Sequence, residues 1–583
     1  MEKPVTERRN PITTNIDVST PQEIVKLLES CDSEIFSGWG KYKDQNVFSD
    51  VVLNTIATVQ QLATSLMQDP VRSAVVLSGC GTSGRLAFLL ARAMNSRLKE
   101  TGSNEPCFRY IIAGGDEALF TSQELYEDDP QLGADLLEKA TVEKSQVLYV
   151  GITCGLSAPF VAGQLDYCIK HLTKYTPVLI GFNPSNLSRK TSIEKWGGKS
   201  FYDVMKSYLP VVAEGKAFLI NPIVGPEAIC GSSRMKGGSI TKIILESIFI
   251  PALLQSLGGF NSLTMPSIFN IIAGYQAVCR SVYSKSAQIA EAIELSGTCL
   301  QSNGHLYYIG HDSIGIMSLI DASECCPTFG SDPTDVNVYL DGGYHTLANQ
   351  EGDLSVQNRG SDISLKYFNE VVAKHFEESD LIVVLNDDER DVTLTSPSLS
   401  KCKTIQIHLN SFGKTKPQLQ INNSFINLEM PWNEISDLIN CKVAKEWSTA
   451  FCEFAAKLVL NAISTGAHIL KGKVFQNIMV DLKLSNNKLY HRAIGILTDF
   501  TELSQEEAEK QVLRVLYDSD ELSQEQLCQP ISGRTQIAKR TPKVLPTALL
   551  IGINKCSVSE ARQILSGHIA VRKAIADNVR HTQ

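Results

Sequence analysis

The sequence predicts an α/β protein: two doubly wound parallel-sheet domains in tandem, closed by a C-terminal helical cap. Three observations carry this. Short β-branched runs that do not alternate with polar residues, such as Ala74-Val-Val-Leu77, recur between helical stretches. Strands that are apolar on both faces belong to parallel sheets covered by helices. The same strand-and-helix grammar restarts near residue 305, and beyond about residue 500 only helical periodicity remains. A chain of 583 residues has ample capacity for more than one core.

Taken in order, residues 1–45 read as an irregular arm of Pro, Thr, Asn and charges, followed by a short helix over 21–29. The first domain, 46–285, carries strands at 74–77, 108–113, 147–152 and 178–182. Helices are expected between them at 85–98, 133–140 and 159–173. The second domain, 286–498, has strands at 305–309, 336–340 and 381–385, with helices at 314–322 and 362–375. Ile112-Ala-Gly-Gly115 in the first copy echoes Leu340-Asp-Gly-Gly343 in the second, so one α/β unit is duplicated in degenerate form. The cap, 499–583, is expected to be helical over 504–517, 523–527 and 558–576.

Composition narrows the function classes. Lys and Arg total 54 against 63 Asp and Glu, a net charge of −9, which argues against nucleic acid or an anionic membrane as the main partner. The N-terminus is charged and lacks the apolar run of a signal peptide. The most apolar long stretch, 243–257, is interrupted by Glu246 and Pro251 and reads as a core helix. Fifteen scattered cysteines, none in a C-x-x-C pair, read as free thiols in a reducing compartment, nucleus or cytoplasm. The ten histidines form no metal-ligand spacing, and no cofactor is expected.

The sharpest segment is Leu77-Ser-Gly-Cys-Gly-Thr-Ser-Gly-Arg85, between a strand and a helix. Gly81 lets the backbone curl, while Thr82 and Ser83 add hydroxyls to the amides of a helix N-terminus, a combination suited to a phosphate. Gly79, Gly81 and Gly84 also satisfy the dinucleotide pattern G-x-G-x-x-G. The second strand, however, ends in Ala-Gly-Gly and not in an acidic ribose ligand. A ligand-free tight turn is the bland alternative.

Gly79-Cys-Gly-Thr-Ser-Gly-Arg-Leu86 resembles the phosphate loop of sugar isomerase (SIS) domains, especially those of the N-acetylmuramic acid 6-phosphate etherases. Ile112-Ala-Gly-Gly115, Glu124-Leu-Tyr-Glu-Asp-Asp129, Ile223-Val-Gly-Pro-Glu227 and Gly231-Ser-Ser-Arg-Met-Lys236 are similar to the same family, as is 472–489. A fused double-SIS chain with a helical cap resembles the glucokinase regulatory protein family, itself etherase-like. Asp321-Ala-Ser-Glu-Cys-Cys-Pro-Thr-Phe329 resembles the etherase segment that carries a catalytic glutamate, yet it lies in the second domain. The matching position of the first domain is Ala93. Conversely, the second domain's loop, Gly310-His-Asp-Ser-Ile-Gly315, has lost the phosphate signature.

The resemblance therefore implies an internal pseudo-dimer with one composite site and no catalytic residue of its own. Gly81, Thr82, Ser83, Thr153, Cys154, Gly155 and Ser157 would come from the first domain and Glu324 from the second. Glu124 and Glu127 match the etherase pattern, and a carboxylate at Glu127 can accept hydrogen bonds from sugar hydroxyls. Lys488 is expected to contact phosphate or sugar, although a surface lysine reads the same way. Ser232, Ser233 and Arg234 precede a helix and could simply cap it. The family further implies glucokinase as partner, with fructose 6-phosphate favouring and fructose 1-phosphate opposing an inhibitory complex. A lyase of the etherase type is the alternative, because the carboxylates are retained. A dinucleotide-dependent oxidoreductase is disfavoured by the second strand.

Overall fold

A computed structural model describes residues 2–102, 105–121, 123–194, 196–258, 266–352, 354, 362–387, 394, 403–410, 423–439, 444–484 and 487–578. Each domain is built on a five-stranded, all-parallel sheet. The first contains β1 (Ser73–Gly79), β2 (Phe108–Ile112), β3 (Gln146–Ile152), β4 (Tyr175–Ile180) and β5 (Phe218–Ile220) in the order β2-β1-β3-β4-β5. The second contains β6 (Leu306–Gly310), β7 (Val336–Leu340), β8 (Leu381–Asp387), β9 (Lys403–Asn410) and β10 (Asn423–Glu429) in the order β7-β6-β8-β9-β10. The two orders are the same topology. β5, β9 and β10 add strands that periodicity alone did not separate.

The strand order fixes where a ligand can sit. In an open α/β sheet the crevice lies beyond the C-terminal strand ends, at the point where the winding reverses. Here that point lies between β1 and β3, so the loops Cys80–Ser83 and Thr153–Ser157 flank it. Their register is tight, with Gly79 beside Ile152.

Four long helices form the seam between the domains. Gly81–Glu100 follows β1 and Asp312–Ser323 follows β6. Lys236–Ser256 and Ser448–Leu470 pack beside them, the last two almost wholly buried. One hydrophobic core runs through both domains and the C-terminal helices. Lys236–Ser256 is long and apolar enough to cross a membrane, but all of its apolar window is buried inside the fold. Burial of polar groups at the seam requires partners. Arg234 pairs with Asp321 at 2.8 Å, both only 2% exposed, and Lys242 binds the carboxylates of both Glu246 and Glu453.

Several expectations are corrected. The arm is more ordered than expected: three short 3-10 turns shape it, and Val5, Asn10, Thr13 and Ile16 are buried. Its helix runs Pro21–Ser37, because a Thr20/Glu23 capping box starts it and only Gly38, at φ +74°, stops it. The helix expected over 362–375 shrinks to Leu365–Glu370. Val371, at φ −120°, breaks it into a 3-10 turn before the β-branched pair can be accommodated. In the cap, the helix expected over 558–576 is two, Val558–Ser566 and Val571–Ala576, divided at Gly567. A buried apolar helix, Val544–Asn554, joins them.

Candidate functional site

β1 delivers the chain to Cys80, the N-cap of Gly81–Glu100, and Gly81 turns at φ +50°. The turn is crowded on its inner side. A Cβ at Gly84 would lie 2.5 Å from Ile112 Cγ1 and 2.7 Å from the Gly79 carbonyl oxygen, so a glycine is required for the helix to start this close to the sheet. Thr82 and Ser83 are buried at the first helical turn. Both line a cavity of about 170 Å³ bordered by the loops after β1 and β3, while the Ser83 amide donates to the Cys80 carbonyl at 3.1 Å.

On the other side of the switch point, Thr153 Oγ1 accepts from the amides of Ser157 and Ala158, both at 3.3 Å, which folds Thr153–Ser157 into a compact turn. Cys154 Sγ lies 3.8 Å from Ser83 Oγ and joins the two loops. Burial pushes its thiol up to about 12, so it is neutral, and no nucleophile is prepared there. Asn183 Nδ2 donates to the Gly155 carbonyl at 2.8 Å and to Thr6 Oγ1 at 2.9 Å, tying the turn to the arm.

A second helix N-terminus reaches the same cavity. Glu227 accepts from the amides of Lys236 and Gly237, both at 2.8 Å, and so caps Lys236–Ser256. The cap is therefore Glu227, not Ser232 or Ser233, and the N-cap position, Met235, makes no side-chain cap bond. Ser232 Oγ lines the cavity, buried and without a protein hydrogen-bond partner. Buried hydroxyls are normally satisfied, so this one is available to a ligand. Burial raises the Glu227 carboxyl to about 7, with Lys236 and the two amides opposing the shift.

The second domain contributes Glu324, from the end of Asp312–Ser323. Its carboxylate forms an ion pair with Arg85, whose side chain is 1% exposed, and makes no helix-cap bond. A Cβ at Gly81 would stand 3.5 Å from Glu324 Oε1 and 3.8 Å from Glu127 Oε1, so that glycine brings carboxylates from two domains to one point. Gly81, Thr82, Ser83, Glu127, Thr153, Cys154, Gly155, Ser157 and Glu324 all line one cavity. The side chains of Glu124 and Lys488 lie outside the described residues. Residues that the sequence reading did not assign to the site also border it: Thr6 and Glu7 of the arm, Glu227, Ser232 and Arg492. Arg492 Nη2 binds Glu7 Oε2 at 2.9 Å. A signal for it existed, since position 492 is one helical turn beyond 488.

The duplicated half keeps the backbone and changes the chemistry. One shift along the chain carries Gly79, Gly84 and Ala93 onto Gly310, Gly315 and Glu324. It also carries Gly81 onto Asp312, which holds the same left-handed turn at φ +46°. A cavity of about 310 Å³ persists there, bordered by Ala93 and Ser313. Asp312 pairs with Arg92 at 2.7 Å, so a side-chain carboxylate stands where the first domain leaves room for an anion. Asp116, the acidic residue nearest the end of β2, is 1% exposed. It accepts from Tyr110 Oη at 2.6 Å and from the Glu351 amide at 2.8 Å, so it fastens the second domain and does not await a ribose.

Fold and site together define a tandem double-SIS protein whose first-domain cavity is bordered by both domains and by the C-terminal helices. The comparisons place it further. Residues 56–169 match the glucokinase regulatory protein N-terminal SIS domain, 283–471 its second SIS domain, and 476–575 its C-terminal lid domain. The chain belongs to the glucokinase regulatory protein family. It is 38% identical over 597 residues to the glucokinase regulatory protein of Xenopus laevis, covering 99% of this chain and 93% of that one. It is 35% identical to that of Homo sapiens, over 99% and 92%. An N-acetylmuramic acid 6-phosphate etherase of Vibrio cholerae serotype O1 is 29% identical over 285 residues, 49% of this chain and 76% of the etherase.

Proposed function

We propose that this chain is a fructose-phosphate sensor of nucleus and cytoplasm that binds and inhibits glucokinase, fructose 6-phosphate favouring the inhibitory complex and fructose 1-phosphate opposing it. The observation that carries this reading is the composition of the cleft wall. The phosphate loop, the second domain's Glu324, the arm's Glu7 and the lid's Arg492 border one cavity. A ligand seated there touches four parts of the chain that are far apart in sequence, so its shape biases how they sit together. Two ligands that stabilise different arrangements then act oppositely on any partner that binds one arrangement.

No chemistry is needed for this action. Thr82 and Ser83 at the start of Gly81–Glu100, together with the unpartnered Ser232 hydroxyl, receive the phosphate. Glu127 accepts hydrogen bonds from the sugar hydroxyls, and Glu324, held by Arg85, does so from the other domain. The testing experiment is inhibition of glucokinase by the purified chain across titrations of the two fructose phosphates. Opposite shifts of the inhibition curve are expected. Inhibition indifferent to both sugars overturns the reading.

The etherase-like lyase remains a second reading, because Glu127 and Glu324 face each other across Gly81 as an acid and base would. Release of lactate from N-acetylmuramic acid 6-phosphate decides for it. The Arg85 guanidinium, already bound to Glu324, speaks against it.

A further inference from the structure

The duplication exposes a lysine whose charge is unbalanced on one side of the seam only. A single shift along the chain carries Lys242 onto Lys457, Glu246 onto Asn461 and Gly238 onto Glu453. Lys242, between the domains' degenerate half-site and the core, is bound by Glu246 on its own helix and by Glu453 on the facing one. Lys457 has the corresponding place behind the intact phosphate loop, and there both carboxylates are gone. Asn461 replaces one, with Oδ1 accepting at 2.8 Å, and Gly238 replaces the other. The remaining acceptors are Ser239 Oγ at 3.0 Å and the carbonyls of Arg234 and Met235 at 2.8 and 3.1 Å, all neutral oxygens.

The ammonium lies against the ligand's seat. A Cβ at Gly238 would meet Lys457 Nζ at 3.3 Å and Thr82 Cγ2 at 3.2 Å, so one glycine separates the lysine from the phosphate loop. The two carbonyls it binds belong to the segment that presents Ser232 and Gly237 to the cavity. We propose that Lys457 is a positioning residue for the ligand phosphate, a buried positive charge without a counter-ion that the bound phosphate balances through the loop. This rests on the sugar-phosphate reading of the cavity.

The other charged groups facing Lys457 are Arg234, Asp321, Glu227 and Asp32. Arg234 and Asp321 neutralise each other at 2.8 Å. Glu227 accepts from the two amides it caps and Asp32 from Tyr283 Oη at 2.5 Å, so both act on Lys457 only at a distance and neither is in hydrogen-bond contact with it. Desolvation lowers the Lys457 ammonium to about 8, so it is charged at neutral pH and sheds its proton just above. A phosphate dianion must hold that proton on, and affinity must fall as pH rises through 8.

Calorimetry on the full chain, with fructose 1-phosphate and inorganic phosphate as probes, tests this between pH 6.5 and 9.5. Wild type is expected to lose affinity for both probes through pH 8, above a shallower change from Glu227 near 7. Lys457→Met should bind both at least tenfold more weakly at pH 7 and show no fall between pH 7.5 and 9. Asn461→Asp keeps the lysine and its backbone anchors but supplies the carboxylate of the other half, and should weaken binding similarly. A folded Lys457→Met or Asn461→Asp with wild-type affinity overturns the proposal. So does a wild type whose affinity is flat from pH 7.5 to 9.5, a measurement that needs no variant to fold. Wild type that binds neither probe overturns the sugar-phosphate reading itself.

Discussion

Arg85 of the first domain, fully buried, and Glu324 of the second, partly exposed, form an ion pair at the mouth of the phosphate loop. Arg85 belongs to the helix that the loop starts, and Glu324 to the end of the helix that the degenerate loop starts. The first domain's cavity is therefore wired to the second domain through a guanidinium that has almost no access to water.

Glu324→Ala is expected to act twice. It removes an acceptor from the cleft and leaves the Arg85 charge unpaired, at a cost of about 3 kcal/mol when one partner of a buried pair is deleted. Thermal melts should show a large drop for Glu324→Ala and a smaller one for Glu324→Gln. Fructose 1-phosphate affinity should fall about tenfold to a hundredfold in either, as for a lost hydrogen bond to a charged group. In the glucokinase assay both variants should need more fructose 1-phosphate for release. A titration midpoint that overlays wild type makes Glu324 purely structural.

Ser83→Glu tests the phosphate seat itself. Ser83 is buried at the first turn of Gly81–Glu100, 3.8 Å from Cys154 Sγ. A carboxylate there meets the same amides a phosphate would, and repels the ligand. Loss of detectable sugar-phosphate binding with a retained melting transition is expected. Normal binding by the folded variant would place the phosphate elsewhere.

The stoichiometry follows from Asp312. Two cavities survive the duplication, but the second holds a carboxylate where Gly81 stands in the first, and Ile314 where Ser83 stands. Calorimetry with fructose 1-phosphate should report one site per chain. Two equivalent sites would contradict the composite-site geometry.

The sequence makes the parallel-sheet architecture, the loop and the cross-domain Glu324 legible because each depends on local signals: β-branched runs, small residues at a turn, a motif in the wrong half. The strand order is set by long-range pairing and is not legible there. Nor does the sequence show that the arm lies on the site. Thr6 and Glu7 carry no periodicity, and their place depends on partners far along the chain, Asn183, Cys230 and Arg492. The capping role of Glu227 is not legible within its sequence motif, since its partners are amides nine and ten residues on. The short helices around 371 and 567 were misjudged because a single φ value or one glycine decides a boundary that composition leaves open.

Stability should depend on pH through the seam as well as through Glu227 of the cleft, whose carboxyl burial also raises to about 7. Burial raises the Glu246 carboxyl to about 7 from an ordinary 4.5, against the pull of Lys242, with Glu453 adding to the rise. Because its folded value lies above its unfolded one, the folded chain holds a proton that the unfolded chain has released. The stability this brings is fully present below about pH 4.5 and is lost as pH rises through 7. The slope across that window is at most about 1.4 kcal/mol per pH unit for one proton. Glu246→Gln removes the titration while keeping an acceptor for Tyr275 Oη, which donates to this carboxyl at 2.7 Å. Lys242 retains Glu453 as its counter-ion. Urea titrations at pH 5, 6, 7 and 8 should show wild type weakening more steeply than Glu246→Gln between pH 5 and 7. The two curves should run parallel above pH 8, where Glu246 is ionised in both folded and unfolded wild type. Equal slopes across the lower window would mean that Glu246 ionises at its unfolded value and that the Lys242 contacts alone accommodate its charge.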